Sequence, residues 1–174
     1  MHAFEAALQY IAIKPTSHVM ITGVLPTWHE LMLIIRHLDI SQGVVLVPQA
    51  SIERTKYLAQ VVDHEGMGNT VIVYQGVVDT SYGLVVKEES VDALVYVARP
   101  EDDHAAAAIE IRRVLKHAGI VAVIDQTSAH PLAKGIVAKI GAAAFTEAGF
   151  SLIHSDTVMR THGIAIFRAP LGAV

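Results

Sequence analysis

The sequence predicts an α/β fold built on a doubly wound, mostly parallel sheet. Five short, continuously apolar segments alternate with segments whose apolar residues recur at helical spacing. Strands that are apolar along their whole length are typical of a parallel sheet covered by helices on both faces. Two further β-rich segments near the C-terminus, separated by a short polar stretch, predict an antiparallel hairpin that completes a sheet of seven strands.

The predicted strands are short runs rich in valine, isoleucine and leucine. The parallel strands are predicted at 19–22, 44–47, 70–74, 92–97 and 120–124, and the hairpin at 150–158 and 163–169. Residues 77–90 fit no element clearly, and we interpret them as a loop with a short edge segment at 83–86.

Helices are predicted between the strands, and cap residues support several of them. The predicted ranges are 3–13, 28–38, 52–64, 104–116 and 131–148. Thr27, with Glu30 three residues later, is the pattern of a capping box, and Ser51 and Asp103 suit the N-cap positions of the helices that follow them. No repeat or linker interrupts this order, so residues 1–174 are predicted to form a single domain.

The composition favours a globular protein and argues against several classes of function. Apolar residues make up 52% of the 174 residues, charged residues 17%, and the net charge is −4. The 13 basic residues are scattered, which argues against a nucleic-acid-binding surface. There is no cysteine, so thiolate nucleophiles and cysteine-ligated zinc are excluded. Without a signal-peptide pattern or an apolar run long enough to span a membrane, we expect a cytoplasmic location.

The second half of the chain resembles the class I S-adenosylmethionine-dependent methyltransferases. The stretch from Glu89 to Asp125 is similar to the fourth strand of that family, the helix ending in a motif of the type RVLKPGG, and the fifth strand; here the motif reads RVLKHAG at 113–119. The IKP at 13–15 resembles the lead-in to the family's first strand, and the AGF at 148–150, ahead of the last hairpin, is a weaker similarity. The resemblance covers nearly the whole chain and implies a seven-stranded, Rossmann-like fold, S-adenosylmethionine as cofactor and methyl transfer as reaction.

The sequence departs from that family where the cofactor would bind. The family has an acidic residue and a glycine-rich turn after the first strand, because bare backbone must approach the cofactor closely; this chain has TGVLPT at 22–27. Gln49 stands where the family has an acidic residue for the ribose, and Asp79 comes two residues later than the family's adenine-contacting aspartate. The resemblance therefore implies as cofactor contacts Thr22, Gly23, Gln49, Gly76, Asp79 and Val97.

Three of these residues have an ordinary structural alternative. Gly23 suits a strand-to-helix turn, Gln49 a solvated loop amide, and Asp79 a turn former. The sequence leaves both interpretations open for each.

The carboxyl end of the fourth strand is the predicted substrate side, since open α/β sheets bind ligands at that edge. Arg99 and His104 are the candidate substrate-binding residues there. Asp102 and Asp103 lie between them, and helix capping is the better interpretation of that pair.

Other chemistries receive little support from the sequence. The ten histidines include no pair at the spacing of a helical zinc site, so no metal site is predicted, although His29, His130 and His162 are a set that the fold could bring together. No G-x-S-x-G motif occurs, and no catalytic residue can be named.

Two functional hypotheses follow. In the first, the cofactor site is remodelled, S-adenosylmethionine binding is weak or lost, and the protein acts as a scaffold, a partner subunit or a binder of another small ligand. Exposed apolar residues of the altered turn would then form an interface with a partner protein or, in a homodimer, with a second copy of the chain. A mean hydropathy of +0.44 also favours contacts between subunits. In the second, the protein is an active methyltransferase on a small molecule, because methyl transfer requires little beyond alignment of the reactants.

Overall fold

The computed structural model describes residues 3–76, 84–99, 101–125, 136–158 and 162–171. Within these residues, seven strands form a single sheet. They are β1 (His18–Thr22), β2 (Val44–Gln49), β3 (Val71–Gln75), β4 (Val91–Ala98), β5 (Leu115–Asp125), β6 (Ser151–Val158) and β7 (His162–Arg168).

The sheet has the order β3-β2-β1-β4-β5-β7-β6. The first five strands in the chain pair in parallel, whereas β7 is antiparallel to both β5 and β6. The predicted fold class, a doubly wound sheet closed by a C-terminal hairpin, is confirmed. The order reverses at β1, so the switch point of this open sheet lies between β1 and β4, where such folds form their ligand crevice.

Five helices lie in the described residues: α1 (Ala3–Leu8), α2 (Trp28–Ile35), α3 (Ile52–His64), α4 (His104–Val114) and α5 (Ile136–Glu147). The three predicted N-caps are confirmed. Thr27 and Glu30 form the capping box of α2, Ser51 accepts from the backbone N–H of Arg54, and Asp103 accepts from that of Ala106. None of the described helices is long and apolar enough to cross a membrane.

Several predicted boundaries were wrong because tertiary contacts decide where an element ends. The first helix ends at Leu8 rather than at residue 13, and the second at Ile35 rather than at 38. The fourth helix ends at Val114 rather than at 116, because Leu115 already pairs with Val91 of β4. The 84–86 part of the predicted edge segment is not a strand, and residue 83 lies outside the described residues.

Side chains from the two faces of the sheet form two apolar clusters. The α1–α3 face carries the inward side chains of α1, α2 and α3 against residues such as Ile21 and Val95. The α4–α5 face carries those of α4 and α5 against Tyr96, Val123 and Phe167. Alternate residues of one strand serve opposite faces, so the position of a residue along β4 or β5 decides which face its side chain reaches.

Asp92 ties together the starts of three strands. Its Oδ2 accepts from the backbone N–H of His18 at 2.8 Å, and its Oδ1 accepts from Lys116 Nζ at 2.7 Å. Partial burial raises the pKa of Asp92, but the hydrogen bonds from Lys116 and His18 outweigh it and leave that pKa below its ordinary value. This aspartate is therefore part of the scaffold.

A partly buried ion pair on α4 holds the segment that leads into β4. Arg113 donates from Nη1 to the carbonyl of Val86 (2.9 Å) and from Nη2 to that of Leu84 (2.8 Å). Its Nε also donates to Glu110 Oε2 at 2.8 Å, and Glu110 Oε1 accepts from the backbone N–H of Leu84. The guanidinium of Arg113 thus binds backbone carbonyls of the segment at 84–86, which has no strand partner in the sheet.

We expect Arg113→Ala to lower the free energy of unfolding by about 1.5–3 kcal/mol, because it leaves the Glu110 carboxylate and two backbone carbonyls without their charged donor. Chemical denaturation measures the change. Arg112→Ala, one residue earlier on the same helix, is the matched control and should cost less than about 0.5 kcal/mol. Equal losses in the two variants would contradict the assigned role of Arg113.

Candidate ligand site at the carboxyl edge of the sheet

The crevice at the carboxyl ends of β1 and β4 contains a small cavity. Its volume is about 210 Å³. It lies on the α1–α3 face and is lined by Phe4, Ile21, Val24, Leu25, Pro26, Thr27, Glu30 and Val97. Ligand sites usually enclose about 300–1,000 Å³, so what remains of this crevice is smaller than an ordinary small-molecule site.

The turn after β1 passes very close to the end of β4. Gly23 has a φ of +99°, and a Cβ built on it would lie 2.1 Å from the carbonyl oxygen of Val97. Only glycine adopts this conformation at such a distance without strain. Gly23 is therefore needed for the packing of the turn itself, whether or not a cofactor is bound.

The rest of the turn is directed inwards. Val24 and Leu25 are half-buried and Pro26 is buried, and all three line the cavity. The expectation that these apolar residues are exposed for an interface is therefore wrong. Their side chains occupy space that small residues would leave open.

The N-terminus of α2, which faces the cavity, already has a carboxylate. Glu30 Oε2 accepts from the backbone N–H of Thr27 at 2.7 Å and from its hydroxyl at 2.9 Å, and the backbone N–H of Glu30 donates to Thr27 Oγ1 at 3.2 Å. A helix N-terminus attracts anions through its free N–H groups and its dipole. Here the capping box uses part of that capacity internally.

The two cofactor-binding residues predicted on β1 and β2 are buried and are not accessible to a ligand from solvent. Thr22 is 2% exposed and Gln49 is 3% exposed. The side-chain Nε2 of Gln49 donates to the backbone carbonyl of Pro48 at 2.8 Å. The backbone carbonyl of Gln49 accepts from the backbone N–H of Gly76 at 3.0 Å. The amide of Gln49 therefore has a partner within the protein and is not the solvated loop amide considered from the sequence.

Arg99 is the centre of a charged network at the end of β4. Its Nη2 lies 2.8 Å from Asp102 Oδ1, its Nε donates to the same oxygen at 3.0 Å, and its backbone N–H donates to Asp102 Oδ2 at 2.9 Å. The hydroxyl of Tyr96 also donates to Asp102 Oδ2, at 2.9 Å. Asp102 thus anchors Arg99, while Asp103 caps α4 as predicted.

His104, the first residue of α4, is buried on the α4–α5 face. It is 8% exposed, and its ring packs edge-on against Tyr96 with 6.4 Å between the centroids. Its Nδ1 is buried and has no hydrogen-bond partner in the described structure. Both predicted substrate residues therefore lie near Tyr96 but differ in their contacts. Arg99 is anchored by Asp102, which also accepts from the Tyr96 hydroxyl, whereas His104 Nδ1 has no partner in the described structure.

Sequence reasoning missed Asp125, the last residue of β5. It is 3% exposed, and neither carboxylate oxygen has a hydrogen-bond partner among the residues that the structure describes. Burial raises the pKa of Asp125 from 3.8 to about 6. Its position after a continuous apolar strand was the available signal, because a carboxylate there must lie at the carboxyl edge of the sheet.

The predicted adenine contact and the predicted histidine set cannot be placed. Asp79 and His130 lie outside the described residues, and so does the side chain of His162. Among the described residues, no group of three or more histidine, aspartate or glutamate side chains could hold a metal ion.

We expect Gly23→Ala to destabilise the protein by about 2–4 kcal/mol, since the new methyl group combines a left-handed backbone with a clash against the Val97 carbonyl. The measurement is the free energy of unfolding in urea. Gly66→Ala is the matched control, because Gly66 also has a positive φ, +71°, but open space around its Cβ position. A Gly23→Ala variant no less stable than Gly66→Ala would refute the close approach.

Asp125 should make stability depend on pH. Its folded-state pKa of about 6 lies above the ordinary value of 3.8, so the folded protein binds more protons between these values and loses stability as the pH rises from about 4 to 6. This difference is worth at most roughly 3 kcal/mol at neutral pH. Asp125→Asn should therefore raise the unfolding temperature at pH 7.5 by several degrees but change it little at pH 4.

The exposed Asp63 on α3 provides the control for this experiment. Asp63→Asn removes an exposed carboxylate instead of a buried one, and it should not reproduce the gain in unfolding temperature that we expect for Asp125→Asn at pH 7.5. If Asp125→Asn is no more stable than the parent at pH 7.5, the carboxylate has a partner in solution.

Known structures resemble the whole of this fold. No protein-family model and no curated protein matches the sequence. The cyclase SpnF superposes with a TM-score of 0.78 at 16% identity, over 97% of this chain and 80% of that one. An S-adenosylmethionine-dependent methyltransferase from Aquifex aeolicus gives 0.76 at 16% identity, over 95% of this chain and 88% of that one.

A third solved structure is a putative methyltransferase from Haloferax volcanii, in complex with a methyltransferase activator. It gives a TM-score of 0.76 at 15% identity and covers 97% of this chain and 89% of that one. The strand order, the antiparallel C-terminal hairpin and these superpositions agree. This chain therefore has the seven-stranded fold of the class I methyltransferases, as its resemblance to that family predicted.

Proposed function

We propose that this protein is a methyltransferase-like protein that binds S-adenosylmethionine weakly or not at all and instead binds another small ligand or serves as a partner subunit. The observation that carries the proposal is the turn at 23–27. Its side chains reduce the crevice at the end of β1 to about 210 Å³.

The steric argument starts from the size of the cofactor. S-adenosylmethionine joins a nucleoside to an amino acid, and a ligand of that size needs a cavity within the usual range of about 300–1,000 Å³. Gly23 fixes the start of the turn against the backbone of β4, which limits how far Leu25 and Pro26 can move away from the crevice.

The electrostatic argument concerns the carboxylate of the cofactor. An anionic group is stabilised at a helix N-terminus by free N–H donors. At α2 the carboxylate of Glu30 already accepts from Thr27, and it would repel a second carboxylate in the same small cavity.

The ribose side supports the same conclusion. Gln49 stands where the resemblance implies an acidic residue, and its amide donates within the protein. A neutral amide forms weaker hydrogen bonds to hydroxyl groups than a carboxylate does. Binding a ribose would first break the contact with Pro48.

The fold does not fix the reaction, because one scaffold can carry unrelated functions. The solved structures that share it include one named as a cyclase, and the Haloferax methyltransferase is in complex with an activator protein. Both a different small-molecule role and a partner role are therefore consistent with this architecture. Active methyl transfer is the alternative, and it requires the cofactor to bind.

Isothermal titration calorimetry with S-adenosylmethionine and S-adenosylhomocysteine tests the proposal. We expect no saturable heat up to about 1 mM ligand, a concentration that would reveal any binding stronger than about −4 kcal/mol. Micromolar binding of either compound would refute the proposal and favour the active methyltransferase.

A second pair of variants tests the steric cause. Leu25→Gly combined with Pro26→Gly removes two side chains that line the cavity, and it should bind S-adenosylmethionine more tightly than the parent. Leu171→Gly changes a leucine that is 77% exposed, and it should behave as the parent does.

A further inference from the structure

Asp125 is a buried carboxylate that makes no hydrogen bond or ion pair in the described fold. It is 3% exposed, and both of its oxygens lack a hydrogen-bond partner within the described structure. Leaving a buried charge unpaired costs several kcal/mol, and native proteins contain few such groups. A bound group with a complementary charge would offset that cost, since no described residue does so.

A second buried carboxylate at the same edge shows what Asp125 lacks. Asp102 has hydrogen bonds from the Tyr96 hydroxyl and from the guanidinium of Arg99. No ion pair to Asp125 occurs in the described part of the chain, and burial raises its pKa without a neighbouring charge to oppose the effect. The missing partner should therefore resemble the group that Arg99 supplies to Asp102.

His104 provides an independent second observation. Asp125 pairs in register with Ala98 of β4, so its side chain lies on the α4–α5 face, as do those of Ala98 and Tyr96. The ring of His104 packs against Tyr96 on that face, and His104 Nδ1 is also buried and without a partner. Two unsatisfied polar groups thus lie on one face at the carboxyl edge, one at the end of β5 and one at the start of the helix that follows β4.

The chemistry of these groups selects the kind of ligand. A divalent metal ion needs several protein ligands, and the described residues contain no group of three that could supply them. A nitrogen cation needs only a carboxylate and one or two further acceptors. Its charge would also compensate that of the buried carboxylate, which a neutral donor would not do.

We propose that the carboxyl edge of β4 and β5, on the α4–α5 face, binds a small ligand through an ammonium or amidinium group that donates hydrogen bonds to Asp125, with His104 Nδ1 as a second polar contact. The inference deepens the proposed function by naming the class of small ligand. It concerns the opposite face of the sheet from the cavity at the end of β1, so the two proposals are tested separately. Loss of S-adenosylmethionine binding does not bear on this site.

The test uses benzylamine and benzamidine as probes, and benzyl alcohol and benzamide as their uncharged analogues. Each is titrated into the parent protein while two-dimensional amide NMR spectra are recorded. We expect the two cations to give saturable shifts at residues near Asp125 and His104, and the uncharged analogues to bind more than about tenfold more weakly.

Asp125→Asn separates this site from nonspecific binding. It should weaken binding of both cations more than about tenfold, although the variant is expected to be more stable than the parent, so unfolding would not explain the loss. Asp63→Asn should bind as the parent does. The proposal is overturned if neither cation gives saturable shifts up to about 10 mM, if Asp125→Asn leaves their affinity unchanged, or if the uncharged analogues bind equally well.

Discussion

The close approach of the turn after β1 to the end of β4 determines the shape of the ligand edge. Gly23 brings the backbone of the turn against the carbonyl of Val97, which leaves no room for a Cβ. Because the turn is held there, the side chains of Val24, Leu25 and Pro26 project into the crevice that the switch point of the sheet creates. The size of the cavity on the α1–α3 face follows from this contact.

The two faces of the carboxyl edge have opposite characters. On the α1–α3 face the described polar groups near the cavity bond within the protein, since Thr27 and Glu30 bond each other and Gln49 bonds Pro48. On the α4–α5 face Asp125 and His104 retain buried polar atoms that no described residue satisfies. Burial makes an unpaired polar atom costly, and this cost is the basis of the ligand site proposed on the α4–α5 face.

Much of the scaffold could be predicted from sequence because local signals determine it. The capping box of Thr27 and Glu30, the N-caps of α3 and α4, and the five continuously apolar strands were each read from a few adjacent residues. Errors arose where distant pairing competes with local preference. Leu115 fits a helical pattern, but its pairing with Val91 begins β5 there.

The candidate site was predicted only in part, for a related reason. The bulky residues of the turn at 22–27 were evident in the sequence, but their position along the cavity was not. Arg99 was evident as a charge, but its contact with Asp102 was not. The position of Asp125 at the end of an apolar strand was a signal for the carboxyl edge, but the sequence does not show that its carboxylate is buried without a partner among the described residues.

The sequence by itself determined the fold class, the helix caps and the departure from the family's cofactor motif, because periodicity, cap chemistry and glycine content are properties of neighbouring residues. The tertiary structure alone decided which polar groups are satisfied and how much of the crevice is open. Burial and hydrogen bonding depend on which distant residues meet, and that information appears only when the strands are paired and the helices are packed on them.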